Sequence, residues 1–231
     1  AMVRLDMSEY QDAQAMYSLV GVPGSGQGGL LTEAVRTRPF ALLLLDELEK
    51  ASPEVLNAFL QVMDDGRLTD AVGRTVDFTN VVLVATSNAG SQYIQDGIRQ
   101  GQTLEDMRQG LMDKELRAQF RPEFLNRFDG IILFRPLTED EIREVARRML
   151  IGVAKQLSEK GITLQVSEEA VVELAAAGFD PVFGARPLRR VIQERVQDAL
   201  AEFLLGNKIS RRDTVVFGPG GQITVNKALP V

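Results

Sequence analysis

Two acidic residues, Asp46 and Glu47, directly follow the apolar residues 41–45. Such an apolar run is typical of a strand buried on both faces of a parallel sheet. Open α/β sheets bind their ligands at the carboxyl ends of these strands. There Asp46 could hold Mg²⁺, directly or through water, and Glu47 could polarise the water that attacks a γ-phosphate. The alternative is that both acids only begin a helix, where the helix dipole favours negative charge.

A second polar side chain follows another apolar run. Residues 81–86 predict a core strand, and Ser87 and Asn88 come after it. Because the carboxyl ends of parallel strands meet at one edge of the sheet, Asn88 could lie beside Asp46 and Glu47 and orient a water or sense a phosphate. Taken alone, Asn88 is more typical of an ordinary turn, since asparagine favours turns.

A glycine-rich stretch covers residues 21–29. Such a loop can cradle phosphate when it joins a strand to a helix and carries a lysine, as in G-x-x-x-x-G-K-[ST]. No Gly-Lys pair occurs anywhere in this sequence. We therefore favour a mobile surface loop here, followed by a short helix over residues 30–38.

The composition of the chain excludes several kinds of chemistry. The sequence of 231 residues contains no cysteine and no histidine, so disulfides, thiol nucleophiles, histidine bases and Cys/His zinc sites are absent. Acid–base or metal chemistry must therefore depend on carboxylates, which suits Mg²⁺ and phosphate esters. A formal net charge of -6 argues against broad binding of nucleic acid.

Two domains are expected around these candidate residues. Residues 1–135 predict an α/β domain: a parallel sheet with helices on both faces, whose last core strand covers residues 131–134. Composition changes at Arg135 and Pro136, where we place the boundary. Residues 136–231 predict a small helical domain that ends in a β-hairpin, with strands over 214–217 and 222–225 around a Gly/Pro turn. Its first helix is marked by a capping box at Thr138 and Glu141.

The order of several motifs resembles one known family, the Clp/Hsp100 AAA+ ATPases. The similarity is greatest to the second (C-terminal) ATPase module of ClpB-like disaggregases, and it extends over nearly the whole chain. It rests on short motifs that occur in family order: DMSEY at 6–10, LTEAV at 31–35, LDELEK at 45–50, DDGRLTD at 64–70, TSN at 86–88, FRPEFLNRFD at 120–129 and GARP at 184–187.

The resemblance implies a role for each matching residue. Asp46 and Glu47 match the Walker B pair that holds magnesium and activates water. Asn88 matches the first sensor, which places that water against the γ-phosphate. Arg127 matches the arginine finger that reaches a neighbouring subunit's site, and Arg186 matches the second sensor, which touches the nucleotide from the small domain.

The resemblance also implies ATP and Mg²⁺ as cofactors and a hexameric ring that remodels unfolded or aggregated polypeptides. We expect no membrane partner and a cytoplasmic location, because no apolar run approaches the roughly 20 residues that span a bilayer. The polypeptide-gripping pore loop of the family carries an aromatic residue between glycines. Residues 24–29 contain none, so the resemblance does not extend to this loop.

One departure from the family affects the predicted function. The family's first strand and phosphate-binding loop would precede Ala1, and they are missing from this sequence. Without backbone donors and a lysine for the β- and γ-phosphates, nucleotide affinity should fall severely. We therefore predict that the chain alone is an inactive fragment of an ATPase module. The alternative is a non-catalytic assembly or regulatory module that keeps the ring interface without nucleotide turnover.

Overall fold

The computed structural model describes residues 1–180, 184–206 and 208–228. The chain divides into two compact units, Ala1–Arg135 and Pro136–Val231. None of the helices in the described part of the chain combines the length and apolarity that a membrane crossing requires.

A three-stranded parallel sheet forms the centre of the first unit. Its strands lie in the order β1, β2, β5, with bounds β1 (Met2–Asp6), β2 (Ala41–Asp46) and β5 (Val81–Ala85). A small antiparallel pair lies apart from it, formed by β3 (Arg67–Thr69) and β4 (Thr75–Asp77). The parallel pairing follows from the crossover segments, which are long enough to carry helices between successive strands.

The two faces of the central sheet differ in burial. On one face Leu5, Leu43 and Leu45 are at most 2% exposed and belong to the main core. On the other face the alternate residues Val82 and Val84 of the edge strand β5 are 61% and 40% exposed. Strand alternation places these two sets on opposite faces, so the described helices cover one face more completely than the other.

The predicted last core strand over residues 131–134 is wrong, because the structure assigns no strand there. Ile131 and Leu133 pack against the core, while Ile132 and Phe134 are 81% and 84% exposed. The prediction rested on an apolar run, and two of its four residues do pack against the core, but an apolar run indicates burial only. A strand also needs a neighbour that completes the hydrogen-bond ladder, and no described strand pairs with this segment.

Seven α-helices belong to the described part of the first unit. Their bounds are α1 (Ala15–Val20), α2 (Leu30–Thr37), α3 (Pro53–Asp65), α4 (Ser91–Arg99), α5 (Leu104–Gly110), α6 (Arg117–Gln119) and α7 (Pro122–Leu125). The chain from α5 to α6 continues through a π-helical turn at Leu111–Leu116. Short 3₁₀ turns follow β1 at Met7–Glu9 and β2 at Leu48–Lys50.

Helix α3 shows how sequence signals fix an element. Ser52 caps its amino end by accepting a hydrogen bond from Val55 N, and Pro53 occupies the first helical position. Gly66 ends the helix in the left-handed conformation, with φ of 64°. Val55 and Phe59, one helical turn apart, are at most 1% exposed, so this face of α3 packs into the core.

The second unit contains four α-helices in its described residues, with bounds α8 (Glu139–Glu159), α9 (Glu168–Ala177), α10 (Leu188–Ile192) and α11 (Asp198–Leu205). A π-helical turn at Gln193–Gln197 joins α10 to α11. The capping box at Thr138 and Glu141 forms as predicted. The core of this unit is separate from that of the first, with Ala146, Leu188 and Val196 fully buried.

The predicted terminal hairpin belongs to a larger sheet. Strands β7 (Thr214–Phe217) and β8 (Ile223–Asn226) pair antiparallel, with a 3₁₀ turn at Pro219–Gly221 between them. A third strand, β6 (Thr163–Val166), adds in parallel to β7. The sequence analysis did not identify β6, because its four residues leave little room for alternation.

Candidate functional site

The carboxylate of Asp46 lies at the carboxyl end of β2 and is bound on both sides. Arg4 Nη2 contacts Asp46 Oδ2 at 2.5 Å. The Thr86 hydroxyl donates to Asp46 Oδ1. These contacts, first the hydrogen bond from Thr86 and then the guanidinium of Arg4, hold the pKa of Asp46 below its ordinary value. Asp46 is therefore ionised at neutral pH, as a ligand for a divalent cation must be.

Glu47 has a left-handed backbone, with φ of 55° and ψ of 52°. This conformation is uncommon for a residue with a Cβ and is often found at functional sites. The turn is fixed by Thr86, because Glu47 N donates to Thr86 Oγ1 at 3.2 Å and Leu48 N donates to Thr86 O at 2.9 Å. The end of β2 is thus tied to the end of β5 through one threonine.

Asn88 lies next to Glu47. Its Nδ2 is 3.4 Å from Glu47 Oε1, and its backbone N donates to Glu49 Oε1 at 3.2 Å. The structure thus brings Asp46, Glu47 and Asn88 to one edge of the sheet, at the ends of two neighbouring strands. This is the edge where open α/β sheets bind ligands.

The donor set of this edge fits a magnesium ion that is bound together with phosphates. Mg²⁺ in nucleotide sites is usually held by one or two carboxylates plus phosphate oxygens and waters, and Asp46 supplies such a carboxylate. Glu49 Oε2 is buried and accepts no hydrogen bond within the described residues, which leaves one more oxygen for water or a cation. No group of three or more acidic residues among the described ones could hold a metal alone.

Arg127 follows the short helix α7, and its partner is not at this edge. Its guanidinium forms an ion pair with Asp64 near the end of α3. About half of the Arg127 side chain, 49%, is exposed. The aromatic rings of Phe120, Phe124 and Phe128 pack in sequence beside it and anchor this segment. Arg127 is therefore a surface arginine on a segment whose aromatic residues pack against one another.

Arg186 belongs to the second unit, where it is exposed and precedes Pro187 at the start of α10. Asp180 and Gly184 form an isolated β-bridge just before it. A role for Arg186 at the nucleotide stays a prediction from the sequence.

The glycine-rich loop joins two helices, α1 and α2, so it lacks the strand-to-helix setting of a phosphate-binding loop. Its ends are anchored: Ala71 N donates to Val20 O at 2.9 Å, and Gly29 N donates to Thr32 Oγ1 at 3.1 Å. The residues between Gly21 and Gly28 are exposed.

Sequence reasoning missed three residues that shape the site: Arg4, Thr86 and Glu49. Thr86 could have been found, because it ends the same strand that leads to Asn88. Arg4 is 42 positions from Asp46. Its role depends on the register of β1 against β2, which no local pattern reveals.

Comparison with known families identifies both units. Residues 1–131 match the family described as AAA domain (Cdc48 subfamily). Residues 137–217 match the C-terminal, D2-small domain of ClpB protein. Together the two matches cover most of the chain in the order that the motifs predicted.

Curated relatives agree with these family matches. The chain is 49% identical over 223 residues to the chaperone protein ClpB of Meiothermus ruber, covering 95% of this chain and 26% of that protein. It is 46% identical to the probable chaperone protein ClpB 1 of Chlorobaculum tepidum, covering 94% of this chain and 52% of that protein. It is 47% identical to the ATP-dependent Clp protease ATP-binding subunit ClpC of Staphylococcus epidermidis, covering 94% and 28%. The chain thus spans between about a quarter and about half the length of these relatives.

Proposed function

Because the chain belongs to the AAA family, we propose that it is the second ATPase module of a ClpB-type protein-remodelling machine. In this machine ATP hydrolysis is coupled to the remodelling of unfolded or aggregated polypeptides. The module works within a ring of copies, a hexamer in the family that it resembles. The names of its relatives, chaperone protein ClpB and Clp protease subunit ClpC, support this class of activity.

The observation that carries the proposal is the meeting of Asp46, Glu47 and Asn88 at the ends of β2 and β5. Asp46 would hold Mg²⁺, which supplies charge neutralisation at the phosphates when it is bound. Glu47 would accept a proton from the attacking water, and the Asn88 amide, 3.4 Å from Glu47 Oε1, would orient that water. The left-handed turn at Glu47 aims its carboxylate toward Asn88, while the Asp46 carboxylate stays on β2.

We assign Arg127 to a neighbouring copy's site. It has no contact with Asp46, Glu47 or Asn88 of its own chain among the described contacts, and its partner is Asp64. A guanidinium with a fixed geometry can stabilise the charge that develops during phosphoryl transfer. To act in this way Arg127 would have to leave Asp64, so the ion pair holds the arginine until a neighbour is present. For Arg186 the proposal rests on the sequence resemblance alone.

A non-catalytic assembly module is the second candidate. The observation that favours it is the glycine-rich loop of residues 21–29, which joins two helices and carries no Gly-Lys pair, so it does not serve as a phosphate-binding loop. Such a module would keep Arg127 for ring contacts, and Glu47 would have no catalytic role.

Glu47→Gln separates the two candidates. The variant is made in this chain after extension at its amino end with the segment that precedes the matched region in the Meiothermus ruber protein. An ATPase module should keep bound ATP and lose turnover by roughly 100-fold or more, because the amide cannot accept the proton. Retained nucleotide is measured after rapid gel filtration, and turnover by phosphate release.

Glu105→Gln is the matched control, because Glu105 is 82% exposed and its arginine partner is 3.9 Å away. It should leave both measurements unchanged. If Glu47→Gln also leaves turnover and nucleotide retention unchanged, the catalytic proposal fails and the assembly module is favoured.

A further inference from the structure

Arg4 lies on β1, the strand next to β2, and reaches the candidate site from the side. The parallel register pairs Arg4 with Leu44 and Asp6 with Asp46. Arg4 therefore sits two positions before the level of Asp46 and on the same face of the sheet. Its side chain, which is 60% exposed, extends to the carboxyl edge and contacts Asp46 Oδ2 at 2.5 Å.

Both oxygens of Asp46 are consequently engaged by the protein itself. Thr86 donates to Oδ1, and Arg4 donates to Oδ2. A carboxylate that already accepts two hydrogen bonds, one of them charge-assisted, is fixed in direction. It also has fewer lone pairs to offer a cation than a free carboxylate has.

We propose, on the basis of the proposed ATPase site, that Arg4 is a positioning residue. It fixes the direction of the Asp46 carboxylate and disfavours the binding of a free divalent cation there. The carboxylates of Asp6, Asp46, Glu47 and Glu49 belong to the carboxyl ends of β1 and β2 and the turn after β2, and their charge would attract a divalent cation. Arg4 is the cation that contacts Asp46 in the described structure. A free divalent cation that approaches Oδ2 is repelled by the charge of Arg4, whereas the charge of a cation that arrives with phosphates is already offset, so the site favours the second.

A surface ion pair with no functional role is the competing explanation. Exposed pairs of this kind contribute little to stability, and their loss has no reason to alter metal affinity selectively. The two explanations therefore differ in what Arg4→Met does to cation binding, which can be measured without nucleotide.

The test titrates Mn²⁺ alone into the full chain and into Arg4→Met, with binding followed by electron paramagnetic resonance of the free ion. Removal of a positive charge next to Asp46 should tighten Mn²⁺ binding roughly fivefold, as expected for one charge a few ångströms away at an exposed edge. Circular dichroism checks that the variant is folded. Arg4→Lys keeps the charge and should bind Mn²⁺ nearly as the parent chain does.

Two further variants make the result specific. Arg4→Met combined with Asp46→Asn should not show the increase in Mn²⁺ affinity, because the carboxylate that Arg4 contacted is no longer present. Arg36→Met removes an arginine that pairs with Glu33 instead and should leave Mn²⁺ affinity unchanged.

Unchanged Mn²⁺ affinity in folded Arg4→Met would overturn the inference. An increase in Mn²⁺ affinity that persists when Asp46→Asn is added would also overturn it, as would the absence of measurable Mn²⁺ binding by every variant. Failure of the proposed function is a separate result, because it is detected as absent nucleotide retention in the extended chain. Normal nucleotide retention with unchanged Mn²⁺ affinity in Arg4→Met would reject the role of Arg4 alone.

Discussion

Glu47 has a strained backbone conformation and, in the proposed function, the role of activating water. Its φ of 55° is a conformation that glycine adopts at little cost, whereas a side chain with a Cβ adopts it only under strain. Hydrogen bonds from Glu47 and Leu48 to Thr86 hold the strained turn in place. A carboxylate at this position is therefore retained at the expense of stability, which is typical of functional sites.

Glu47→Gly should consequently stabilise the chain relative to Glu47→Ala. Both changes remove the carboxylate, but only glycine relieves the left-handed strain, so we expect a difference of about 1 kcal/mol in the free energy of unfolding. Urea denaturation of the two variants measures it, and both should be inactive in the extended chain. Equal stability of the two variants would show that the turn is not strained.

Asp213 gives the second unit a pH-dependent contribution to stability. Its buried carboxylate accepts hydrogen bonds from Lys227, Ala228 and Ser210, and these lower its pKa from 3.8 to about 2. A lowered folded-state pKa means that the contribution is fully present above the unfolded value near 4 and is lost as pH falls through about 2.

We therefore expect Asp213→Asn to lower the thermal midpoint at pH 7, because the amide cannot replace the ionised acceptor. The difference in thermal midpoint between the variant and the parent chain should become smaller as the pH falls from 4 toward 2. Thermal scans across this range measure it, with Asp113→Asn, at an exposed ion pair, as the control. A difference that stays constant down to pH 2 would contradict a stabilising role of the ionised Asp213 carboxylate.

Residue types and order predicted that Asp46, Glu47 and Asn88 could meet at one edge of the sheet, because each follows an apolar run that is typical of a core strand. The same sequence did not predict Arg4, whose contact depends on the pairing of two strands 42 positions apart. Polar residues at the ends of strands can therefore be predicted from the sequence, whereas side-chain contacts between neighbouring strands cannot.

At the scale of elements, explicit end signals predicted helices well. Helix α8 begins with its capping box, as predicted, and α3 begins after the N-cap residue Ser52 with Pro53 at its first position. Strands were predicted well only where another strand was available for pairing. Residues 131–134 form an apolar run yet no strand, because a strand requires pairing with a second segment and a sequence pattern describes only one.

Close packing of α1 against the start of α2 depends on Gly29. A Cβ at this position would lie 2.2 Å from the backbone C and O of Leu19, which cannot rotate away. Gly29→Ala should therefore destabilise the chain by roughly 1–3 kcal/mol, as overpacking does in well-packed sites. Gly130→Ala, where nothing lies within 4 Å, is the matched control. Equal urea midpoints for the two variants would refute the packing account.

At the scale of the whole molecule, the proposed site is shared between copies of the chain. In the proposed function Glu47 would act within its own copy, whereas Arg127, which pairs with Asp64 in the single chain, would act on a neighbour. A ring of identical copies would satisfy every site, because each copy would supply its arginine to the next.

Mixing two inactive variants of the extended chain tests this sharing. Glu47→Gln and Arg127→Ala should each abolish turnover alone. In an equal mixture, about a quarter of the sites would combine an intact Glu47 with a neighbour's intact Arg127, so about a quarter of the parent activity should return. Glu47→Gln mixed with Asn88→Ala is the control and should stay inactive, because both lesions lie in the same copy's half of the site. Recovery in the control mixture would contradict a site divided in this way.

The most direct test of the central claim is calorimetric titration of a non-hydrolysable ATP analogue with Mg²⁺. The ligand is titrated into this chain and into the chain extended with the Meiothermus ruber segment. We expect binding by the extended chain and severely weakened binding by this chain, because Asp46, Glu47 and Asn88 would face the γ-phosphate but supply no cradle for the phosphates. Tight binding by this chain alone, or no binding by the extended chain, would contradict it.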